Sequence, residues 1–137
     1  MSVTAGVVVF VFRRPASEAV WASHVARVQS ALQHSRRGRV LLASRGEMPG
    51  PTERQHLAPV LKAIGPGTHK MAFVGDGTYT HGMMKGMIAM EFASFGWNVQ
   101  LFTHDHLPVA LDFLDLSPSQ QGDVTDALRS LLEGPRR

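Results

Sequence analysis

The chain has 137 residues, of which 44% are apolar and 18% charged, as in a single folded domain with its own hydrophobic core. The absence of cysteine excludes disulfide scaffolds, cysteine-ligated metal or iron–sulfur sites and cysteine nucleophiles. Fourteen Lys and Arg outnumber eleven Asp and Glu by only three, and the densest basic run, Arg36 to Arg39, contains no aromatic residue on which a base could stack. We therefore expect no nucleic-acid partner.

The first half of the sequence alternates strand and helix patterns. Val7–Phe12 is a run of β-branched and aromatic residues, which predicts a strand covered on both faces. The run is far shorter than the ~20 residues needed to cross a bilayer, so we expect a cytoplasmic protein with no integral membrane segment. Ser17 can cap the helix that follows, and Val40–Ala43 is the second predicted strand. Thr52 begins a second helix, with Gln55 three residues on in the spacing of a capping box.

The second half continues the alternation. Met71–Val74 and Val99–Phe102 are predicted strands, separated by a helix over residues 80–94. Asp105 is in position to cap a short helix that runs through residue 114, and Ser117 begins the last helix. The order β-α-β-α-β-α-β-α-α predicts a largely parallel sheet with right-handed crossovers. We expect one domain over residues 1–137, with a core over 6–115 and an extra C-terminal helix over 118–133.

Ligands of open α/β sheets gather at the carboxyl ends of the strands, where three segments of this sequence are predicted to lie. They are residues 44–52, 75–81 and 103–106. The glycine-rich middle segment would present backbone N–H groups to an anion at a helix N-terminus, but it lacks the GxGxxG spacing and the P-loop lysine. A turn with threonine caps is the alternative interpretation. The candidate binding residues are Ser44, Thr52, Gly75, Asp76, Gly77, Thr78, Tyr79 and His81.

No catalytic signature is present. The sequence has no GxSxG elbow and no pair of carboxylates at helical spacing in an apolar segment. His81, His104 and His106 could cluster at the carboxyl ends of the strands, but no HExxH or related spacing supports a metal site. We therefore predict no catalytic residue, no metal and no cofactor, which favours a protein that is not an enzyme.

The helix predicted after the third strand is apolar around most of its circumference. Over residues 82–95 the plainly polar residues are Lys85, Glu91 and Ser94. Such a helix needs cover on more than one side, and its four methionines suit cores and adaptable binding surfaces alike. Met83 and Met87 are accordingly candidates to line an apolar cavity, to form a homodimer face or to fill the core.

The succession of segments resembles the SpoIIAA-like branch of the STAS superfamily over residues 6–115. Domains of this branch have a strand ending in Val-Gly-Asp, an amphipathic helix, a strand ending in an aromatic residue and a closing Ala-x-x-x-Leu helix. The resemblance rests on Val7–Phe12, on Val40–Leu42, on Met71–Asp76, and on Val99–Phe102 followed by Asp105 and Ala110–Leu114. It implies a mostly parallel or mixed sheet of four to five strands covered by helices.

Two features depart from the SpoIIAA-like pattern. Domains of this branch begin with a hairpin, whereas a single N-terminal strand is evident here. Anti-sigma-factor antagonists of the superfamily carry an Asp-Ser-Ser-Gly-like phosphoacceptor, whereas the matching segment has hydroxyls only at Ser44 and Thr52. A phosphate on Thr52 would lie at a helix N-terminus, where its charge is electrostatically tolerated.

Three functions follow as hypotheses. The resemblance implies a non-catalytic regulatory or interaction module that docks a protein partner through residues 44–52 and the neighbouring helix, with the methionine-rich helix as a further candidate part of the surface. The methionine-rich helix instead favours a binder of a small apolar or lipid-like ligand. The third hypothesis is a nucleotide- or phosphate-dependent enzyme that uses Gly75 to His81.

Overall fold

The computed structural model describes residues 1–12, 17–33, 35–44, 51–64, 67–75 and 96–133. These residues form five strands, four α-helices and one short 3-10 helix. The strands are β1 (Ser2–Thr4), β2 (Val7–Phe12), β3 (Arg39–Ser44), β4 (His69–Gly75) and β5 (Trp97–Thr103). The helices are α1 (Glu18–Leu32), α2 (Pro51–Lys62), the 3-10 helix His104–His106, α3 (Leu107–Phe113) and α4 (Pro118–Glu133).

The strands form one mixed sheet in the order β1-β2-β3-β4-β5. β1 is antiparallel to β2, and every later neighbour is parallel. The prediction that four strand segments lie side by side in an α/β domain is therefore confirmed. Because the steps from β2 to β3 and from β3 to β4 move in the same direction, right-handed crossovers place α1 and α2 on the same face of the sheet.

β1 is the strand that the sequence pattern did not reveal. It spans three residues and pairs with β2 through a two-residue turn, Thr4 facing Val7 across the ladder. Both turn residues have positive φ, 52° at Ala5 and 74° at Gly6, as the tight hairpin turns with matching twist require. Such a short strand has too few residues to show an alternating pattern, so the prediction of a single N-terminal strand was wrong.

Side chains on the two faces of the sheet enter two separate hydrophobic clusters, because successive residues of a strand point in opposite directions. The first cluster joins the sheet to α1 and α2. The second cluster joins the opposite face to α3 and α4. The first contains, among others, Val8, Val40, Leu42, Phe73, Trp21, Val28, Leu57, Val60 and Leu61. The second contains Val7, Val9, Leu41, Ala43, Ala72, Val74, Ala110, Leu111, Leu114, Leu116, Val124 and Leu128.

Two of the four predicted helix starts in the described part of the chain follow the local signal. α2 begins at Pro51, one residue before the predicted start at Thr52. Ser17 caps α1 and accepts a hydrogen bond from the Val20 N–H at 3.3 Å. At the start of α4, Ser117 and Gln120 exchange the two hydrogen bonds of a capping box, at 3.2 and 2.9 Å. Asp105 was expected to cap the helix after β5 and does not. It lies inside the 3-10 helix, and α3 begins only at Leu107, where Pro108 suits the first turn.

The edge of the sheet at which β3, β4 and β5 begin, called the amino edge below, is held by a buried histidine. The imidazole of His69 is 5% exposed and accepts a hydrogen bond at Nδ1 from the Gly38 N–H, at 2.7 Å. Its ring packs against the Trp97 ring, with 4.7 Å between centroids. A side chain at Gly38 would meet the same ring, since an added Cβ would lie 2.6 Å from Nδ1. His69 therefore ties the loop before β3 to β4 and β5.

Candidate functional site

The parallel strands β2 to β5 end together at one edge of the sheet, called the carboxyl edge below. β3 ends at Ser44, β4 at Gly75 and β5 at Thr103, and Gly75 faces Thr103 in the ladder. The sheet thus brings together the ends of all three segments predicted to carry function. Thr52 lies in the first turn of α2, which starts from this edge. The remaining candidates lie outside the described residues: Asp76, Gly77, Thr78, Tyr79, His81, Met83 and Met87.

His104 connects two strand ends that are not neighbours. Its Nε2 atom lies 3.0 Å from the backbone carbonyl oxygen of Ser44. Because a carbonyl oxygen only accepts, Nε2 carries the hydrogen and donates it. The sheet order puts β4 between these strands, so the bond joins chain segments that leave strands two spacings apart, roughly 10 Å. His104 thereby fixes the end of β3, from which the chain leads to α2.

Ser44 supports this edge and does not present a contact surface. Ser44 is fully buried, whereas Thr103 and His104 are partly exposed. A partner or a kinase could reach the Ser44 hydroxyl only after the edge opened. Between the two hydroxyl residues of segment 44–52, Thr52 is therefore the one whose position at a helix start suits an added anion.

The exposed part of the edge after β5 carries a second histidine. The Thr103 hydroxyl lies 2.8 Å from Nδ1 of His106, and both His106 and Asp105 are exposed. Within the residues that the structure describes, no three His, Asp or Glu side chains converge in a way that could hold a metal ion. His81 and Asp76, which completed the histidine cluster considered from the sequence, lie outside those residues.

An aromatic stack joins the other elements that start at this edge. The Trp21 ring of α1 stacks on Phe10 of β2, with centroids 5.2 Å apart, and on His56 of α2, with centroids 5.5 Å apart. The planes of Trp21 and His56 differ by only 11°. Trp21 is 5% exposed, so the stack fixes α2 against α1 near the carboxyl edge and leaves the far side of α2 uncovered by α1. The sequence carried no signal for the contact between Trp21 and His56.

The described outward residues of α2 are three uncharged residues near its middle and Lys62 in its last turn. Its inward side is buried through Leu57, Val60 and Leu61. Gln55 and Pro59 are exposed, and Ala58 between them is partly exposed. The uncharged part of this side, from Gln55 to Pro59, has no ionised group to desolvate, which is the property that a protein–protein contact needs at its centre.

A pocket on the opposite face of the sheet opens beside His104. Its volume is about 250 Å³, which is small for a site that encloses a ligand. It lies between α3 and α4 and combines an apolar floor with a few charged groups at its rim. Its lining consists of His104, Leu107, Thr125, Leu128, Arg129, Leu132 and Glu133.

Comparison of the chain with protein-family models, with curated proteins and with solved structures finds no match. Among the helices of the described part of the chain, none is both long and apolar enough to cross a membrane.

Proposed function

We propose that the chain is a non-catalytic regulatory or interaction module of SpoIIAA-like type, which binds a protein partner through the first turns of α2 and the segment that precedes them. One observation carries the proposal. α2 follows a strand end that is anchored by buried Ser44 and by the bond from His104, and its described outward residues from Gln55 to Pro59 carry no charge.

The anchoring supports docking because a surface that is already ordered loses less conformational entropy on binding. The Trp21–His56 stack orders α2 on its inner side, and the carbonyl of Ser44 is held from the opposite direction by His104. The hairpin of β1 and β2 adds support for the family, since domains of the SpoIIAA-like branch begin with one.

The test uses two matched glutamine variants of the full chain. Gln55 is exposed on α2 close to the carboxyl edge, and Gln29 is exposed on α1 in its last turn. We expect that Gln55→Arg weakens the capture of a protein partner from a lysate of the source cells at least tenfold, measured by quantitative mass spectrometry. Gln29→Arg is the control and should retain the partner, since both changes add the same charge to a helix surface.

The proposal fails if the wild-type chain captures no protein and does not associate with itself. Native mass spectrometry of the same preparation provides an independent readout. A small apolar molecule retained by the wild-type chain, with no protein partner, would support the ligand-binding hypothesis instead. A partner that is retained by both variants would place the contact outside the first turns of α2.

A further inference from the structure

A basic cluster lies at the amino edge of the sheet, opposite the edge used in the proposed function. Arg39 and Lys70 face each other on adjacent parallel strands, so their side chains share one face of the sheet. Arg36 and Arg37 precede β3 and are exposed. Like charges placed side by side repel each other, and an arrangement that keeps them together has an electrostatic cost unless an anion is present.

The backbone that carries these arginines is held in place by hydrogen bonds. The Gly38 N–H donates to His69 Nδ1, and the Gly38 carbonyl accepts from the Lys70 N–H at 2.9 Å. The Arg36 carbonyl accepts from the Thr68 N–H at 2.7 Å. The backbone positions of the arginines are therefore fixed before any partner arrives.

One carboxylate of the chain already occupies part of this cluster. Asp115, at the end of α3, forms an ion pair of 2.9 Å with Lys70, whose ammonium also donates to the Phe113 carbonyl at 3.1 Å. The hydrogen bond from Lys70 holds the pKa of Asp115 below its usual value of 3.8, and the charges of Lys70, Arg37 and Arg39 act in the same direction. The field at this edge thus favours carboxylates.

Among the described residues, none of the three arginines has a carboxylate partner of its own. No described carboxylate lies within 4.0 Å of the guanidinium of Arg36, Arg37 or Arg39. Each guanidinium presents a planar fork of donors that matches a carboxylate in two parallel hydrogen bonds. The cluster can accept further carboxylates beside Asp115 without breaking the Lys70–Asp115 pair.

We propose that the amino edge binds an acidic segment of a partner protein, whose Asp or Glu side chains pair with Arg36, Arg37 and Arg39. A nucleic acid fits this edge less well because its described aromatic rings are unavailable for stacking on bases. The Phe113 ring is covered by Lys70 at 5.0 Å and contacts Phe102, and Trp97 is 5% exposed. This surface is separate from the outward side of α2, so the inference does not rest on the proposed function.

The test measures binding of a fluorescently labelled peptide of ten glutamates to the full chain, by anisotropy in 50 mM NaCl. We expect binding that is lost in 300 mM NaCl and that weakens about five- to tenfold in the double variant Arg37→Gln/Arg39→Gln. The control is Arg27→Gln/Arg129→Gln, which removes the same charge from other parts of the surface and should leave the affinity within twofold. Arg36→Gln/Arg37→Gln changes only exposed residues and serves as a second test should the Arg39 change disturb the fold.

Each of the following outcomes would overturn the inference. The first is no binding of the glutamate peptide in 50 mM NaCl. The second is equal weakening in the control variant, which would show a response to net charge alone. The third is tighter binding of a ten-nucleotide single-stranded DNA than of the peptide, or salt-sensitive self-association in ultracentrifugation, which would identify a different occupant of this edge.

Discussion

At the scale of single residues, two histidines affect stability in opposite ways, and the residue type alone does not reveal which. His69 is buried as a hydrogen-bond acceptor for the backbone of Gly38, and His24 is packed among aromatic rings with Nδ1 buried and without a partner among the described residues. One histidine therefore stabilises the loop before β3, while the other resists protonation.

Because Gly38 lies so close to His69, we expect a methyl group at position 38 to destabilise the fold. An added Cβ would lie 2.6 Å from His69 Nδ1 and 2.8 Å from Cγ2 of Ile64, both of which belong to the core. We expect Gly38→Ala to lower the free energy of unfolding by about 2–3 kcal/mol, through overpacking and the loss of a buried hydrogen bond. Urea denaturation measures the change.

Gly122 provides the matched control for that substitution. It lies in α4, and no atom lies within 4 Å of the position where its Cβ would be. Gly122→Ala should raise the free energy of unfolding by about 0.5–1 kcal/mol, because alanine is the better helix former. Equal effects of the two changes would contradict the contact between Gly38 and His69.

Because of His24, we expect the free energy of unfolding to fall in mild acid. Burial, then the charges of the amino terminus and of Arg27, hold the pKa of His24 below its ordinary value of 6.5. As the pH falls, His24 therefore binds a proton in the unfolded chain, near pH 6.5, before it does so in the folded chain. The contribution of neutral His24 to the free energy of unfolding is full above pH 6.5 and is lost as the pH falls below it. We expect His24→Leu to reduce the difference in free energy of unfolding between pH 7.5 and pH 5.5. An unchanged difference would show that His24 is protonated equally in both states.

At the scale of single elements, local signals located two helix starts to the residue, whereas apolar runs located the strands but missed the ends of three of them. Ser17 and the Ser117–Gln120 pair mark helix starts that need only backbone N–H groups a few residues away. β3, β4 and β5 extend beyond their predicted apolar runs, β4 for example to His69 at its start, because pairing with a neighbouring strand recruits polar residues too. Asp105 does not cap α3 as expected, because the 3-10 helix comes first and α3 begins only at Leu107, followed by Pro108 in its first turn.

The hairpin turn between β1 and β2 offers a test at this scale. Ala5 adopts a φ of 52°, a left-handed conformation that is unfavourable for alanine and common for asparagine. Ala5→Asn should raise the free energy of unfolding by about 0.5–1 kcal/mol, since it relieves a conformational cost of about 1–2 kcal/mol. Ala5→Val is the control and should lower the same quantity, and a destabilising Ala5→Asn would contradict the two-residue turn.

At the scale of the whole molecule, the second hydrophobic cluster extends beyond residue 115. Val124 and Leu128 of α4 are buried against the same face of the sheet as Val7 and Leu41. α4 covers β2 and β1, while α3 covers β4 and β5. The last helix is thus one of the layers that shield the sheet, and its polar capping box at Ser117 gave no indication of where it packs.

The sequence by itself determined the class of the fold and the position of its four parallel strands, because buried strands need continuous β-branched and apolar runs and helices need periodic ones. Only the tertiary structure decided which polar groups meet. The bond from His104 to Ser44, the contact of His69 with Gly38 and the grouping of Arg37, Arg39 and Lys70 around Asp115 join residues that lie 31 or more positions apart or on different elements. The spacing of apolar residues indicates whether each residue is buried or exposed, whereas contacts between distant polar residues depend on the order and register of the strands.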